Sequence, residues 1–376
     1  MTDQPAAALA PGRLGRPELT LGTDPRSDPS MVAAITPFGL HVNDIPGELT
    51  QRSPMADKLA YIRDIIEPGN DVLFDGLLDG LDPVPDVERT TETIQGPAGN
   101  DITLHIARPV DTTDRARPGV LQIHGGAMVF LRATTSTYRR HRDELAAAGM
   151  IAVGVEYRKA GGVLGHHPYP AGLDDCVAAL DWVHNHREQL GISHLVVSGD
   201  SGGANLALAT TLKAKRLGRL HQIDGVYAMV PYISGAAAWD QARRARELPS
   251  WIETNGYFYC AENVEMLVSV YDPDGTHAEN PLAWPYFATS EDLHGLPPHV
   301  ISVCELDPVR DEGLAYFRNL VHAGVDATAI TLHGVCHVAD LMLRSQIPRL
   351  YASTVDNIAR FAAHVDPTHA GVTAAV

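Results

Sequence analysis

Cysteine is scarce in this sequence, with four residues in a chain of 376, and no two of them form a CxxC pair. This spacing excludes the usual zinc-ligand patterns, and so low a cysteine content excludes a disulfide-rich scaffold. We therefore expect Cys176, Cys260, Cys304 and Cys336 to be buried free thiols. The cytoplasm, which keeps thiols reduced, is the expected location.

Long apolar runs and an excess of basic residues are absent as well. No run of about 18 apolar residues occurs, so no membrane-spanning helix is expected. The first ten residues lack the basic and apolar regions of a secretory signal. The net charge of −17 at pH 7 opposes binding to nucleic acid and to anionic membranes. We expect a small molecule as the partner.

Short apolar runs and helical stretches alternate along most of the chain. This order predicts an α/β fold, in which a mostly parallel central sheet is covered by helices on both faces. The predicted strands are Asp101–Ala107, Gly119–His124, Met150–Tyr157, His194–Ser198, Gly225–Val230, His299–Cys304 and Ala327–Leu332. The predicted helices are Tyr138–Ala148, Leu173–Gln189, Gly203–Leu217, Glu312–Ala323 and Ser353–His364.

Changes in this rhythm divide the chain into four segments. Two prolines in the run 82–86 forbid regular structure there, so residues 1–86 are predicted to be a separate N-terminal arm. Residues 87–233 are predicted to form the first part of the core, and residues 285–376 the second. The segment 234–284 lacks the strand and helix pattern and is predicted to be an insertion.

A serine in a short glycine motif follows the fourth predicted strand. Ser201 is the centre of the run Gly199-Asp200-Ser201-Gly202-Gly203, and a helical stretch follows it directly. A sharp strand-to-helix turn with small neighbours lifts a serine hydroxyl above the sheet, and the helix N-terminus supplies positive potential. This context predicts a catalytic nucleophile. The alternative is a plain glycine turn with a capping serine.

A nucleophilic serine needs a base and an acid that orients the base, and after such a turn the chain order is acid, then histidine. Asp307 follows the sixth predicted strand, and His337 lies in the loop beyond the seventh. Asp311 is the rival acid, but it begins a helix, where the macrodipole stabilises a carboxylate. His333 is the rival base, but it lies at the strand end. We predict Ser201, Asp307 and His337 as the triad.

A glycine-rich loop directly after the second predicted strand is the candidate oxyanion hole. It reads His124-Gly125-Gly126-Ala127, and glycines let a backbone approach the substrate closely. Backbone N–H groups must meet the negative charge that forms on the attacked carbonyl oxygen. We predict that the amides of this loop, chiefly Gly126 and Ala127, act with that of Gly202. His124 is then a structural residue.

The aromatic residues of the insertion are candidates for a substrate pocket. Trp239, Trp251, Tyr257 and Phe258, with the adjacent Tyr259, could line an aromatic acyl or alcohol site. Ordinary packing between the insertion and the core is the alternative for each of them.

Several of these motifs together resemble the hormone-sensitive-lipase-like family of bacterial esterases. The resemblance runs from about residue 90 to the C-terminus, and it is carried by HGG at 124–126, YR at 157–158, HPYPAGLDD at 167–175, GDSGG at 199–203, DPVRDEG at 307–313 and His337. It implies an α/β-hydrolase core with a helical cap, built from the N-terminal segment and the insertion. It also implies the same triad, and no metal or organic cofactor.

Three positions depart from the family pattern. Ala127 stands where the family usually has a third glycine, and its methyl group is expected to narrow the pocket or shift the loop. Gly202 stands where the family usually has alanine, although its amide is retained. Cys336, directly before His337, is either an inert packing thiol or a site of oxidation.

The sequence therefore predicts a carboxylesterase that acts through an acyl-enzyme. Its expected substrates are bulky, aromatic or lactone esters. A specialised lactonase is the alternative within the enzymes. The alternative of another class is a non-catalytic binding protein on the same fold, which the presence of His337 disfavours. The last strand and helix of such folds can pair at their edges, so a homodimer is also considered.

Overall fold

The computed structural model describes residues 10–110 and 115–365. The outer ends of the predicted N-terminal and C-terminal segments, residues 1–9 and 366–376, lie outside the described residues. Within the described ranges, no helix combines the length and the apolar character that a membrane span requires. The four cysteines are buried and free, as predicted.

Eight strands of the described chain form one sheet in the order β1-β2-β4-β3-β5-β6-β7-β8. The strands are β1 Val87–Gln95, β2 Asp101–Pro109, β3 Arg117–Ile123, β4 Ile151–Glu156, β5 Ile192–Asp200, β6 Gly225–Met229, β7 His299–Leu306 and β8 Ala327–Cys336. β2 pairs antiparallel with β1 and β4, and every other neighbouring pair is parallel. The predicted mostly parallel sheet is confirmed.

Helices cover both faces of this sheet and also form much of the N-terminal segment and of the insertion. In the described ranges they are α1 Gly12–Gly15, α2 Pro29–Ile35, α3 Met55–Tyr61, α4 Glu67–Leu78, α5 Ser136–Ala147, α6 Ala171–Asn185, α7 Arg187–Leu190, α8 Gly202–Arg216, α9 Gln241–Glu247, α10 Ser250–Glu253, α11 Ala261–Tyr271, α12 Ser290–Leu293, α13 Arg310–His322, α14 Ala339–Met342 and α15 Pro348–His364. A π-helical stretch, Ile62–Ile66, joins α3 to α4.

Alternate residues of the buried strands divide the core into two layers, because successive side chains of a strand point to opposite faces. Val196 packs in the cluster that contains residues of α5 and α15. Its neighbour Val197 packs in the cluster that contains residues of α6, α8 and α13. The apolar runs that predicted these strands are therefore buried on both sides, as parallel strands require.

Two differences from the predicted strands have clear causes. The sequence does not predict β1 as a separate strand, because seven of its nine residues are exposed and its two buried apolar residues, Val87 and Ile94, fall on opposite faces. β8 was predicted to end at Leu332, but it continues to Cys336. The ladder between β7 and β8 is irregular near Gly334, whose φ is +76°, and this glycine signals a turn in the sequence.

The N-terminal segment and the insertion pack against each other. Lys58 of α3 donates a hydrogen bond of 2.8 Å to the hydroxyl of Ser269 on α11. Arg26 makes an ion pair of 2.6 Å with Glu253 of α10. These contacts are those expected of one cap made from two segments, while the predicted boundaries at residues 86, 233 and 284 stay predictions.

Candidate active site

Ser201 lies in the turn between β5 and α8. Its backbone has φ 53° and ψ −121°, a combination that a residue with a side chain rarely adopts. The turn is also tight, because a Cβ atom added to Gly203 would lie 2.1 Å from the carbonyl oxygen of Ile123. The small residues of the motif thus permit a strained turn that presents the serine at the carboxyl edge of the sheet.

Three predicted side chains meet at this edge, each directly after a strand end. Nε2 of His337 lies 2.9 Å from Oγ of Ser201, and Nδ1 of the same ring lies 2.7 Å from Oδ2 of Asp307. A carboxylate only accepts hydrogen bonds, so Nδ1 carries the hydrogen and Nε2 is free to accept the serine proton. Asp307 is fully buried and also accepts a hydrogen bond of 3.1 Å from the N–H of Val309.

The rival residues lie elsewhere. His333 is exposed on β8 and contacts Glu305 at 3.2 Å. Asp311 lies in the first turn of α13, where it accepts a hydrogen bond from the N–H of Ser250. The carboxyl group of Asp200 accepts a 3.1 Å hydrogen bond from the hydroxyl of Tyr138. The structure brings neither His333 nor Asp311 to the serine.

The loop after β3 lies beside the turn of the serine. Gly126 and Ala127 have φ values of +98° and +54°, and no described residue accepts a hydrogen bond from the N–H of either one. Gly202 is the first residue of α8, a position whose N–H has no acceptor within the helix. Among the described residues, these three N–H groups therefore have no acceptor, as the predicted oxyanion hole requires.

His124 holds this loop rather than facing the serine. Its Nδ1 lies 2.9 Å from the carbonyl oxygen of Gly125, and its ring stacks on Tyr157 with centroids 4.4 Å apart. The hydroxyl of Tyr157 donates a 2.9 Å hydrogen bond to the carbonyl oxygen of His124. Burial lowers the pKa of His124. These contacts hold the first residues of the loop in place.

A cavity of about 800 Å³ opens above Ser201 and His337. Its walls are mostly apolar, and they include Ala127 of the predicted oxyanion loop, residues 124–127. One wall comes from the N-terminal segment and another from the insertion. The wall residues of the N-terminal segment include Phe38, Leu40, Leu49, Tyr61, Ile65, Ile66, Val72, Leu73 and Phe74; those of the insertion include Phe258, Tyr259, Val264, Met266 and Leu267.

Three of the four predicted pocket residues are not on these walls, and that part of the prediction is corrected. Trp239 borders a separate depression of about 370 Å³, where Arg243 stacks 3.8 Å from its ring. Trp251 and Tyr257 are fully buried in the core, and the hydroxyl of Tyr257 is bonded to Asp24. Only Phe258 of the four borders the cavity.

Cys336 lies in the core rather than in the cavity. It is fully buried, and its N–H lies 3.2 Å from the sulfur of Met31. Burial raises the pKa of its thiol well above the usual range, which opposes the thiolate form that oxidants attack. The structure therefore favours the packing role over the redox role.

Comparison with known proteins points to one family. The sequence matches the family described as alpha/beta hydrolase fold over residues 120–341. Among solved structures, the chain is similar to "brefeldin A esterase, a bacterial homologue of human hormone sensitive lipase", with 47% identity over 96% of this chain and 99% of that one, and a TM-score of 0.91. It is also similar to esterase Est22, with 32% identity over 92% of this chain and 99% of that one, and a TM-score of 0.80.

Similarity to a named relative adds the activity class. Esterase LipI of Mycobacterium tuberculosis is 33% identical over 246 residues, which cover 64% of this chain and 71% of the relative. The predicted family, fold and enzyme class are all confirmed by these likenesses. The chain belongs to the α/β-hydrolase fold family, among its hormone-sensitive-lipase-like esterases, and is a carboxylic ester hydrolase.

Proposed function

We propose that the protein hydrolyses bulky, apolar carboxylic esters through an acyl-enzyme formed on Ser201. The observation that carries the proposal is the continuous chain of hydrogen bonds from Ser201 through His337 to Asp307, with distances of 2.9 and 2.7 Å, at the floor of a large apolar cavity. A cavity of this size lies in the upper part of the range of small-molecule sites, about 300–1,000 Å³.

The mechanism follows from the proton positions. Nε2 of His337 takes the proton of the Ser201 hydroxyl as its oxygen attacks the ester carbonyl, and the negative charge on that oxygen is met by the amides of the oxyanion loop and Gly202. His337 returns the proton to the leaving alcohol. Water then attacks the acyl-enzyme by the same route. Asp307 orients the imidazole and stabilises its cationic form.

Three substitutions and one control variant test these roles. Ser201→Ala and His337→Gln should abolish turnover of nitrophenyl esters, whereas His333→Gln should leave it unchanged because His333 is exposed and distant. Asp307→Asn should lower kcat by about 10⁴-fold, as expected when the imidazole takes the wrong tautomer. Turnover that survives in Ser201→Ala would contradict the proposal.

The acyl-enzyme needs a test of its own. Rapid mixing with a nitrophenyl ester should give a burst of nitrophenol equal to the enzyme concentration when deacylation is slow. An aryl phosphonate should add one phosphonyl group to Ser201, as seen by mass spectrometry of the peptide. The absence of both signals in an active enzyme would exclude a covalent route through this serine.

A specialised lactonase is the second candidate function. The size of the cavity and the likeness to an enzyme named for brefeldin A both favour it, because a ring keeps acyl and alcohol parts together in one bulky substrate. Brefeldin A, a simple macrocyclic lactone and open-chain esters of increasing length should be compared by kcat/KM. A sharp decline beyond short acyl chains would favour a small ester instead.

Two wider expectations belong to the same proposal. Four buried free cysteines support a cytoplasmic location. β8 is an edge strand of the sheet, and an exposed edge supports a homodimer formed by edge pairing. Light scattering at several protein concentrations would measure the oligomeric state. A monomer at all concentrations would exclude that dimer.

A further inference from the structure

A buried carboxyl group next to the nucleophile has no role in the mechanism described above. Asp200 is the last residue of β5, and it is 2% exposed. The hydroxyl of Tyr138, on α5, donates a hydrogen bond of 3.1 Å to its Oδ2 atom. Both residues lie at the border of the main cavity. This pair therefore lies close to the groups that carry out the proposed reaction.

The nearest such element is the oxyanion loop. A Cβ atom added to Gly125 would lie 2.5 Å from Oδ2 of Asp200 and 2.8 Å from the hydroxyl oxygen of Tyr138. The first glycine of the loop therefore rests directly on the hydrogen-bonded pair. The two residues that follow, Gly126 and Ala127, carry the unpaired N–H groups of the loop.

We propose that Asp200 and Tyr138 are positioning residues that hold the oxyanion loop at Gly125, and that Asp200 does so as a neutral carboxylic acid. The inference rests on the proposed function, because it concerns the donors of the same reaction. It assigns neither residue a contact with the substrate. Their action is on the backbone that carries the donors.

The surroundings of Asp200 support the neutral form. Burial raises its pKa to about 7, against the hydrogen bond from Tyr138 and the charge of His337, which lower it; Asp340 raises it further. The hydroxyl of Tyr157 also faces this region from the end of β4, and burial raises the pKa of that group. Only His337, when protonated, offers a positive charge among these groups.

The charge of Asp200 matters because the loop must stabilise an anion. A proton on Asp200 leaves the space beneath the loop neutral. Loss of that proton above about pH 7 places a buried negative charge below the donors, and it opposes the oxyanion in a region of low dielectric constant. We therefore expect kcat of the natural enzyme to decline on the alkaline side of pH 7.

The first test removes the ionisation and keeps the shape. Asp200→Asn retains an oxygen that accepts from Tyr138, but it cannot lose a proton. At pH 6.5 its kcat should stay within about threefold of the natural enzyme, since one hydrogen-bond geometry changes only slightly. Between pH 7 and 9 its kcat should stay level while that of the natural enzyme falls. An alkaline decline of the same midpoint in both proteins would overturn the role of the neutral acid.

The second test removes the hydroxyl of Tyr138 and has a matched control. Tyr138→Phe should lower kcat about fivefold to tenfold with KM unchanged, as expected for one lost buried hydrogen bond. Tyr351→Phe is the control, because its hydroxyl lies 2.9 Å from Nδ1 of His141, also on α5 and away from the cavity. Equal kcat values in the two variants would show that the effect is general and overturn the positioning role.

Folding failure of one variant leaves the inference testable. If Asp200→Asn does not fold, the comparison of Tyr138→Phe with Tyr351→Phe still decides the positioning role through the separation of kcat from KM. The outcome is also distinct from that of the proposed function. Turnover that survives in Ser201→Ala removes the whole mechanism, whereas inactive Ser201→Ala with an unchanged pH profile in Asp200→Asn removes this inference alone.

Discussion

The hydroxyl of Tyr259 donates a hydrogen bond of 2.9 Å to Oδ1 of Asp307, the oxygen that His337 does not use. The ring of Tyr259 also meets that of His337 edge to face, with centroids 5.2 Å apart. Burial and the charge of Asp307 raise the pKa of this hydroxyl well above its usual range, so it stays a donor. A residue of the insertion thus contacts two members of the predicted triad.

The first prediction follows from this contact. Tyr259→Phe removes a hydrogen bond to a buried carboxylate, and such bonds contribute about 1.5–3 kcal/mol. We expect kcat to fall by about tenfold or more, with a smaller change in KM, because the orientation of the Asp307 carboxylate is less well fixed. Steady-state kinetics with a nitrophenyl ester measure both constants.

Tyr257→Phe is the matched control for that experiment. Tyr257 is two residues away and donates to Asp24 at 3.0 Å, on the side of the insertion that faces the N-terminal segment. Its loss should lower the melting temperature and leave kcat unchanged. If both variants lose kcat equally, the hydroxyl of Tyr259 has no special effect on the triad.

The aromatic run 257–259 makes a contact with the triad that the sequence does not predict. Three consecutive aromatic residues are visible in the sequence. Which of them reaches the triad depends on the backbone at Phe258, whose φ is +71°. A bulky residue rarely adopts that conformation, so no local pattern predicts it. The triad itself was predictable because Ser201, Asp307 and His337 each follow a strand recognised by its apolar run.

The walls of the cavity were less predictable than its floor. Residues 37–74 line one side, although they are separated from Ser201 by more than a hundred positions in the chain. Their apolar side chains, such as Ile65 and Ile66, look in the sequence like an ordinary amphipathic helix. α3 packs against α11 of the insertion and α4 against α5 of the core, so long-range packing decides which of them face the cavity.

The second prediction concerns two of the three departures from the family pattern, Ala127 and Gly202. A Cβ atom added to Gly202 would lie 2.6 Å from the N atom of Met128 and 2.7 Å from Cα of Ala127. Gly202→Ala must therefore push the oxyanion loop away. We expect kcat to fall by at least tenfold, toward the ~10²–10³-fold cost of one lost oxyanion donor, with KM less affected.

Ala127→Gly is the companion variant for the same loop. The alanine has a φ of +54°, a left-handed conformation that costs about 1–2 kcal/mol for a residue with a side chain. Glycine adopts it without that cost, so kcat should be retained. Kinetics and the melting temperature of both variants check the pair. Full activity in Gly202→Ala would show that the loop tolerates the displacement.

The third prediction concerns the ion pairs that attach the N-terminal segment. Glu253, which is 3% exposed, accepts from Arg26 at 2.6 Å and from Arg310 at 2.7 Å. Glu253→Gln removes one of two carboxylates from each guanidinium group, because Arg26 keeps Asp24 at 2.8 Å and Arg310 keeps Asp311 at 3.0 Å. We therefore expect a loss of about 1.5–3 kcal/mol, the contribution of a hydrogen bond to a charged group. Urea unfolding should show this loss, and limited proteolysis should cut the N-terminal segment sooner.

An exposed ion pair provides the control for that measurement. Arg63 and Asp64 are both more than half exposed, at 52% and 55%, so Arg63→Ala should leave the unfolding midpoint unchanged. Equal stability of Glu253→Gln and the natural protein would mean that the network does not hold the segment in place.

The fourth prediction concerns pH and stability. Glu312 is completely buried on α13, and burial raises its pKa to about 8, although hydrogen bonds from Ser234 and the N–H of Ile233 lower it. In the unfolded chain a glutamate has a pKa near 4.3. Between about pH 4 and 8, Glu312 therefore holds a proton in the folded protein that it has lost in the unfolded chain. This group's contribution to stability is complete below that window and is lost as the pH rises through it.

Glu312→Gln removes this proton and keeps an oxygen that accepts from Ile233, 2.9 Å away in the natural protein. When the pH is raised from 5 to 8.5, the natural protein should lose stability relative to the variant. The loss should be about 1.4 kcal/mol for each unit by which folding raises the pKa of Glu312. Glu262→Gln is the control, because Glu262 is exposed on α11 and is solvated in both states. Urea unfolding at the two pH values gives the difference directly. Parallel pH dependence in all three proteins would mean that Glu312 is already ionised at pH 5, and that the N–H groups facing it outweigh its burial.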